Sequence, residues 1–356
     1  MPNRSLAVLL AALALVAASG TVLLAPRWLP GLRALRPAEP HQLPSLAGLS
    51  AWRNSVPLGL DSLKGHPVAL LLWSDTDPRS LAALAVAEAW HRTYAPYGIR
   101  VIAVHEPEYA FASDTTVAAG IARRLDLTLP FADDVAGLVE AAIGGAVDGP
   151  HLVIADENGM IDVDTVGVLT PGTRALGVAA LRMRPGASLP PEVDAAVPGG
   201  VRTIPLGAGR VENGPLRALS AGHEHVFTAE FRYQESGSTW VPFPVGGWRT
   251  GSEGLMATRG GAANFIAIRY SAGRAGVVVT PPPGAIARLW ILRDDRWPTL
   301  EERGEDVVVG GRETASVVVT RPGIYWLDKG DGERVLKISP EKAGVMVNAF
   351  VFTDAR

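Results

Sequence analysis

The order of apolar and polar residues changes character about halfway along the chain. In the first half, continuous apolar runs alternate with helical patterns. The runs at 68–73 (VALLLW) and 99–106 (IRVIAVHE) are typical of strands buried on both faces, and an apolar stripe with helical spacing follows the first at 79–94. A second helix is predicted at 116–125. HLVIAD and MIDVDTVG then predict an antiparallel hairpin turning near Gly159, so this half indicates an α/β layer fold.

The second half shows no helical period after a proline- and glycine-rich break. Stretches such as HVFTAEFRY, AGVVVTP, ARLWILR and VMVNAFVFT are short and rich in β-branched and aromatic residues. Glycine, Asp-Gly or proline turns separate them. Short strands at regular spacing predict an all-β sandwich of jelly-roll-like architecture. The predicted fold class is therefore an α/β domain followed by an all-β domain.

The beginning of the chain carries a targeting signal. Arg4 precedes an uncharged apolar run from Leu6 to Ala25, and about twenty apolar residues span a hydrocarbon core. We predict an uncleaved signal anchor, with a cleaved signal peptide and a buried core helix as alternatives. Arginines on both sides leave the membrane orientation open by charge alone. The predicted organisation is a signal anchor at 1–25, a proline-rich tether at 26–48, the α/β domain at 49–184, a linker at 185–200 and the sandwich domain at 201–356.

Composition narrows the chemistry that this chain could perform. Hydrophobic residues make up 47% and charged residues 19%, which is a globular composition. The formal net charge of -3 lacks the basic excess of nucleic-acid binders. The chain has no cysteine, which excludes disulfides, thiolate metal sites and cysteine nucleophiles. We expect neither a metal nor a cofactor.

Short motifs in both halves carry a family resemblance. The first half contains LLLWSDTDPRSLAAL from residue 70, VIAVHEPEYAF from residue 101 and GPHLVIADENG from residue 149. They resemble the extracytoplasmic thioredoxin-like domains of the TlpA and DipZ type, in which a strand runs into a W-x-x-x-C-x-x-C stretch that opens a helix. Gly246-Gly247-Trp248 and the closing strand NAFVFT are similar to the DipZ-like β-domain, which resembles a carbohydrate-binding module. The resemblance implies a thioredoxin-like domain followed by that β-domain.

The two redox cysteines of that family are missing here. The register from Trp73 places Asp77 and Ser80 at their positions. Disulfide exchange requires a thiolate that attacks a sulfur and forms a mixed disulfide, and neither residue can form that intermediate. We therefore expect no thiol–disulfide chemistry. We interpret Asp77 as an anionic N-cap and Ser80 as a first-turn residue, with a new acid–base role for Asp77 as the alternative.

The loop that faces the redox motif in that family contains a cis-proline, and its counterpart here is Pro150. The resemblance implies that this loop offers backbone groups to an extended peptide, so a peptide groove could persist without sulfur. The alternative is that Pro150 only shapes the turn before a strand. Gly149 stands where the DipZ-like pattern has an aromatic residue. The candidate groove residues are Trp73, Asp77, Pro78, Ser80, Gly149 and Pro150.

Tryptophans of the second domain are candidates for a ligand surface. Exposed aromatic side chains on one face of a sandwich would favour glycan binding. Packing in the core is the alternative, because tryptophan is highly buried on average. The residues concerned are Trp240, Trp248, Trp290 and Trp297.

Three functions remain open at this point. The first is a membrane-anchored, extracytoplasmic binding or scaffold protein of the bacterial cell envelope, whose partner is an envelope protein, an extended peptide or a glycan. The second is a redox accessory in cytochrome c biogenesis or thiol–disulfide pathways that relies on a partner's cysteines. The third is a hydrolase that uses carboxylates, although Glu106 and Glu108 form no convincing pair. The absence of cysteine favours the first two and argues against a self-sufficient oxidoreductase.

Overall fold

A computed structural model describes residues 42–145, 149–212, 214–231 and 238–354. The predicted anchor and the first part of the tether lie outside these residues. Within the described ranges, no helix combines the length and apolar character needed to cross a membrane. His41–Arg356 forms one compact unit, so the two sheets that it contains can be described together.

The first sheet is built from strands in the order β1-β4-β3-β2-β5-β6. Its strands β2, β3 and β4 are parallel, whereas β1, β5 and β6 join their neighbours antiparallel. The strands are β1 (Ser50–Arg53), β2 (Val68–Trp73), β3 (Arg100–His105), β4 (Phe131–Asp133), β5 (His151–Ala155) and β6 (Ile161–Val166), and the helices are α1 (Leu60–Leu63), α2 (Pro78–Tyr94), α3 (Thr115–Arg124), α4 (Leu138–Ala142) and α5 (Thr170–Met183).

Both faces of this sheet are covered, as the unbroken apolar run of β2 predicts. Helices α2, α3 and α5 pack on one face, while α1, α4 and residues 43–49 pack on the other. Gly172 in α5 allows close packing, because a Cβ there would stand 2.8 Å from Trp90 and 2.6 Å from Leu152. A parallel βαβ unit followed by an antiparallel hairpin and a final helix is the thioredoxin-like fold, so the predicted class of this half is confirmed.

Several elements of the first half are not predicted by the pattern of apolar and polar residues. Strands β1 and β4 have four and three residues, too few to show a period, and both become strands only by pairing with each other and with β3. The predicted tether and linker also pack more closely than their composition indicates. Leu43 and Leu46 are buried beneath the sheet. Residues 185–200 have no strand or helix past the end of α5, yet Ala195 is buried against α2 and α5.

The second half is antiparallel and entirely β apart from one short 3-10 turn, within the residues that the structure describes. The predicted β-sandwich is therefore confirmed. Its strands are β7 (Arg202–Pro205), β8 (Glu224–Phe227), β9 (Phe243–Thr250), β10 (Leu255–Ala257), β11 (Phe265–Ser271), β12 (Arg274–Thr280), β13 (Ala287–Arg293), β14 (Val307–Val309), β15 (Ala315–Val319), β16 (Gly323–Lys329), β17 (Glu333–Pro340) and β18 (Met346–Thr353).

Strand β9 belongs to both layers of the sandwich. Its first residues pair with β11, in the layer β14-β15-β13-β17-β11, and its last residues pair with β8 and β10, in the layer that continues through β18 and β12 to β16. The crossing point is Gly246, whose φ of 89° favours glycine. Gly247 N–H donates to Asn264 Oδ1 at 2.6 Å. The Gly-Gly-Trp motif is therefore explained by the passage of one strand between two layers.

The two sheets meet through the segment that follows β3. Tyr109 is 1% exposed and packs with Val278, Ala349 and Val351 of strands β12 and β18. Polar contacts flank it, because Glu108 pairs with Arg210 at 2.8 Å. The Ala110 N–H also donates to Glu253 Oε1 at 2.8 Å. One buried aromatic side chain therefore anchors the α/β half to the sandwich.

We expect Tyr109→Ala to lower the free energy of unfolding by about 3–5 kcal/mol, because it removes a fully buried ring from a packed interface. Tyr109→Phe keeps the ring and should cost under about 1.5 kcal/mol. Urea unfolding followed by tryptophan fluorescence measures both values. Equal stability of the two variants would contradict this account of the interface.

Candidate functional site

The candidate site lies at the carboxyl ends of the parallel strands. Strand β2 ends at Trp73 and leads through Asp75 to α2, β3 ends at His105, and β4 ends at Asp133. Parallel neighbours bring these ends to one edge of the sheet, as the register of Trp73 with His105 and of His105 with Asp133 shows. Open α/β sheets usually place their sites at this edge.

Asp77 is the N-cap of α2, as predicted. Its carboxylate accepts hydrogen bonds from the backbone N–H groups of Arg79 and Ser80, both at 3.2 Å, and from Ser80 Oγ at 2.9 Å. Asp77 is 7% exposed and Ser80 1%. The two residues at the thiol positions are therefore bonded to each other and buried.

Arg79 lies against the loop where the family's cis-proline motif would stand. Its Nε donates to Asp77 Oδ1 at 3.1 Å. Its Cζ would be 3.2 Å from a Cβ built on Gly149, whose φ of +117° also favours glycine. An aromatic residue at 149, as in the DipZ-like pattern, would displace this guanidinium. Gly149 thus makes room for Arg79.

The residues of the candidate peptide groove are buried or half-buried. Trp73, Asp77, Ser80 and Pro150 are buried, while Pro78 and Gly149 are half-buried. No peptide bond among the residues that the structure describes is cis, so the bond before Pro150 is trans. Pro150 stands directly before β5 and its carbonyl accepts from Gly167 N–H at 2.8 Å. The residue acts at the start of a strand, which was the alternative interpretation.

A chain of buried charges, which sequence reasoning did not assemble, runs beneath this edge. His105 lies between two carboxylates, with Nδ1 3.1 Å from Asp133 Oδ1 and Nε2 3.4 Å from Asp75 Oδ1. Asp133 Oδ2 accepts from Arg53 Nη1 at 3.1 Å, and Arg53 Nη2 donates to the carbonyl of Thr115 at 2.6 Å. Polar residues at the carboxyl ends of adjacent buried strands were the signal in the sequence.

The surroundings of His105 favour the charged form of its imidazole. Burial alone would lower its pKa, but the hydrogen bonds to Asp133 and Asp75 and their negative charges outweigh burial and raise it. When His105 is protonated, its charge and that of Arg53 balance the two carboxylates. Because each ring nitrogen already faces a carboxylate, His105 has no free nitrogen with which to act as a base.

The carboxylates on either side of Pro107 do not form a catalytic pair. Burial raises the pKa of Glu106 to about 9, with further contributions from Glu140 and Asp134. Glu108 instead accepts a hydrogen bond from Thr76 Oγ1 at 2.8 Å and pairs with Arg210. The two carboxyl groups therefore have different surroundings and different partners.

The tryptophan candidates do not share an exposed face. Trp248 is fully buried and its Nε1 donates to the carbonyl of Val245 at 2.9 Å. Trp240 is half-buried and packs edge-on against Phe352, 5.0 Å between ring centroids. Trp290 and Trp297 are half-buried and contact each other, with centroids 6.3 Å apart. The core-packing alternative therefore holds for Trp240 and Trp248.

We expect the stability that His105 contributes to decline as the pH rises. A raised pKa means that this stability is complete below about pH 6.5, the ordinary value for histidine, and is lost as the pH passes the folded-state pKa. His105→Gln removes the charge. The difference in unfolding free energy between the natural protein and this variant should be larger at pH 6 than at pH 8.

Urea unfolding at both pH values tests this expectation. Glu106, whose pKa burial raises to about 9, also makes stability depend on pH throughout this range, but it is present in both proteins and largely cancels from the difference. A difference that stays constant from pH 6 to pH 8 would contradict the raised pKa of His105.

Comparison with known proteins adds a similarity over part of the chain. No family model matches the sequence. The chain is 33% identical over 94 residues to Protein DipZ of Mycobacterium bovis and to Protein DipZ of Mycobacterium tuberculosis, and the matched part covers 26% of this chain and 14% of each relative. This chain thus corresponds to only a small part of those proteins.

Solved structures are similar over a larger share of the chain and at lower identity. A thiol:disulfide interchange protein of the thioredoxin family from Chlorobium tepidum is 16% identical, with a TM-score of 0.33. The match covers 41% of this chain and 99% of that protein. A secreted disulfide oxidoreductase of Mycobacterium tuberculosis is 17% identical, with a TM-score of 0.26. The match covers 35% of this chain and 80% of that protein.

Proposed function

We propose that this chain is a membrane-anchored, extracytoplasmic protein that uses a thioredoxin-like scaffold to bind a partner and does not exchange disulfides. The observation that carries the proposal is the closed contact between Asp77, Arg79 and Ser80. In a redox protein, the start of this helix would lower the pKa of an attacking thiol. Here the same helix end is satisfied by a fixed carboxylate.

Accessibility supports the same conclusion. A client disulfide must reach the attacking sulfur for a mixed disulfide to form. Asp77 is 7% exposed and Ser80 1%, and the guanidinium of Arg79 lies against Gly149 beside them. A partner therefore does not reach the two positions through this surface.

Hydrolysis by carboxylates receives no support from the geometry. Both ring nitrogens of His105 face carboxylates. Glu106 and Glu108 have different surroundings, and Glu108 is already paired with Arg210. His105 and Glu108 instead contact charged partners within the fold, so the proposal is a binding role for the scaffold rather than hydrolysis at this edge.

The location of the protein is proposed from its first residues. The apolar run from Leu6 to Ala25 has the length of a membrane span. The motifs that resemble the extracytoplasmic thioredoxin-like domains of the TlpA and DipZ type add the expectation of an extracytoplasmic location. We place both domains outside the cytoplasm on these grounds.

A protein or peptide partner fits the β-domain better than a glycan. Glycan platforms need exposed aromatic rings, whereas Trp248 lies in the core and Trp240 packs on Phe352. The remaining pair, Trp290 and Trp297, is half-buried and tilted at 64°, so its rings do not form one flat surface.

The purified protein should neither reduce insulin disulfides nor reoxidise a reduced client above the rate in buffer alone. A thioredoxin serves as the positive control. The double variant Asp77→Cys/Ser80→Cys is the matched control, and we expect its rate to stay well below that of thioredoxin because both positions are buried. Disulfide turnover by the cysteine-free protein would overturn the proposal.

A further inference from the structure

A cleft of about 1040 Å³ opens between the two sheets, next to the Tyr109 anchor. One wall comes from the first half, including Leu81, Phe111 and helix α3. The other wall comes from the sandwich, where the proline-rich turn 281–283 and strand β16 face it. Ligand sites of proteins typically have a volume of a few hundred to about 1,000 Å³ and lie at domain interfaces.

Strand β16 is the edge of its layer, because β12 is its sole strand partner in the described sheet. At Trp326, both backbone groups point away from β12, since the N–H donates to Asp306 Oδ2 at 2.7 Å and the carbonyl accepts from Asp306 N–H at 3.3 Å. Residues two apart on an antiparallel strand face the same edge. The N–H and carbonyl of Ile324 therefore point outward as well.

No backbone or side-chain hydrogen bond from a described residue outside the β12–β16 ladder reaches the backbone of Ile324. The second half of β16 is covered by residues 302–306 through bonds to Trp326, Leu327 and Lys329. The first half, which lines the cleft, is left open. An open strand edge is a template that an extended peptide can pair with.

The charges around the cleft indicate the character of that peptide. Arg274 is paired with Glu305 at 2.7 Å. The acids that line the cleft are likewise engaged: Asp75 contacts His105, Asp114 caps α3 and Asp306 bonds to β16. The guanidinium groups of Arg124 and Arg321, both exposed at the cleft, form no ion pair with the acids of the described residues.

We propose that this cleft binds an extended acidic peptide as an additional strand on the free edge at Ile324. The peptide backbone would pair with the N–H and carbonyl of Ile324, and its carboxylates would face Arg124 and Arg321. Apolar side chains on its other face would contact Phe111 and Leu81. This inference rests on the proposed binding function and names its site and ligand class.

The test measures binding of a fluorescein-labelled octapeptide of alternating glutamate and valine by fluorescence anisotropy. Ile324→Pro removes the outward N–H without removing a bond to β12, since proline is tolerated where the N–H of an edge strand points outward. Ile324→Val keeps the N–H and is the matched control. We expect a roughly tenfold rise in Kd for the proline variant and a change within about twofold for the valine variant.

Two further sets of binding measurements vary the peptide against the natural protein and substitute the two arginines of the cleft. The same peptide methylated on alternate backbone nitrogens, and a lysine–valine peptide, should both bind at least about tenfold more weakly. Arg321→Glu and Arg124→Glu should each weaken the binding of the acidic peptide and make that binding less dependent on salt concentration.

Several outcomes would overturn the inference. They are the absence of binding by the glutamate–valine peptide, equal binding of its methylated form, and an unchanged Kd in a folded Ile324→Pro variant. Binding of a galacturonate oligosaccharide that ignores Ile324→Pro would replace the peptide with an acidic glycan. Each of these results leaves the insulin assay unaffected, so the loss of this site and the loss of the non-catalytic role are separable.

Discussion

The burial of Tyr109 in the sandwich is the contact on which the rest of this molecule depends. Strand β3 ends at His105, and the next few residues carry Glu108 to Thr76 and Tyr109 to strands β12 and β18. One short segment thus connects the edge that carries the candidate site to the second sheet. Because the two halves are anchored there, a cleft is left beside the anchor, and its walls are set by the core packing of both halves.

The two positions that correspond to the thiols of the TlpA and DipZ type are held by polar contacts of a different kind. A helix start carries unpaired N–H groups and partial positive charge, which a carboxylate satisfies without any reaction. Asp77 fills that role, and Arg79 occupies the space that Gly149 leaves open. Beneath it, His105 and Arg53 contact Asp75 and Asp133 in a largely buried chain. Removing one member of such a chain leaves its partner charged and buried, which is costly.

Periodicity predicted the long elements of the fold well and the short ones poorly. Strand β2, helix α2 and the antiparallel sandwich follow from apolar patterns that are repeated over many residues. Strand β4 has three residues and depends on its neighbours for its hydrogen bonds. The sequence was enough to predict that Asp77 and Ser80 lie at the start of a helix. It was not enough to predict the contacts of His105 with Asp75 and Asp133, because these form only when the ends of three strands come together in the sheet.

The sequence by itself excluded thiol–disulfide exchange, because a chain without cysteine cannot form a mixed disulfide whatever its fold. It also determined the capping role of Asp77, which depends on contacts within a few residues. Only the tertiary structure decided that Trp248 is core, that most of the candidate groove residues are buried, and that the edge of β16 is open beside a cleft. These properties arise from contacts between residues far apart in the chain, and no local pattern of apolar and polar positions encodes which surfaces those contacts cover.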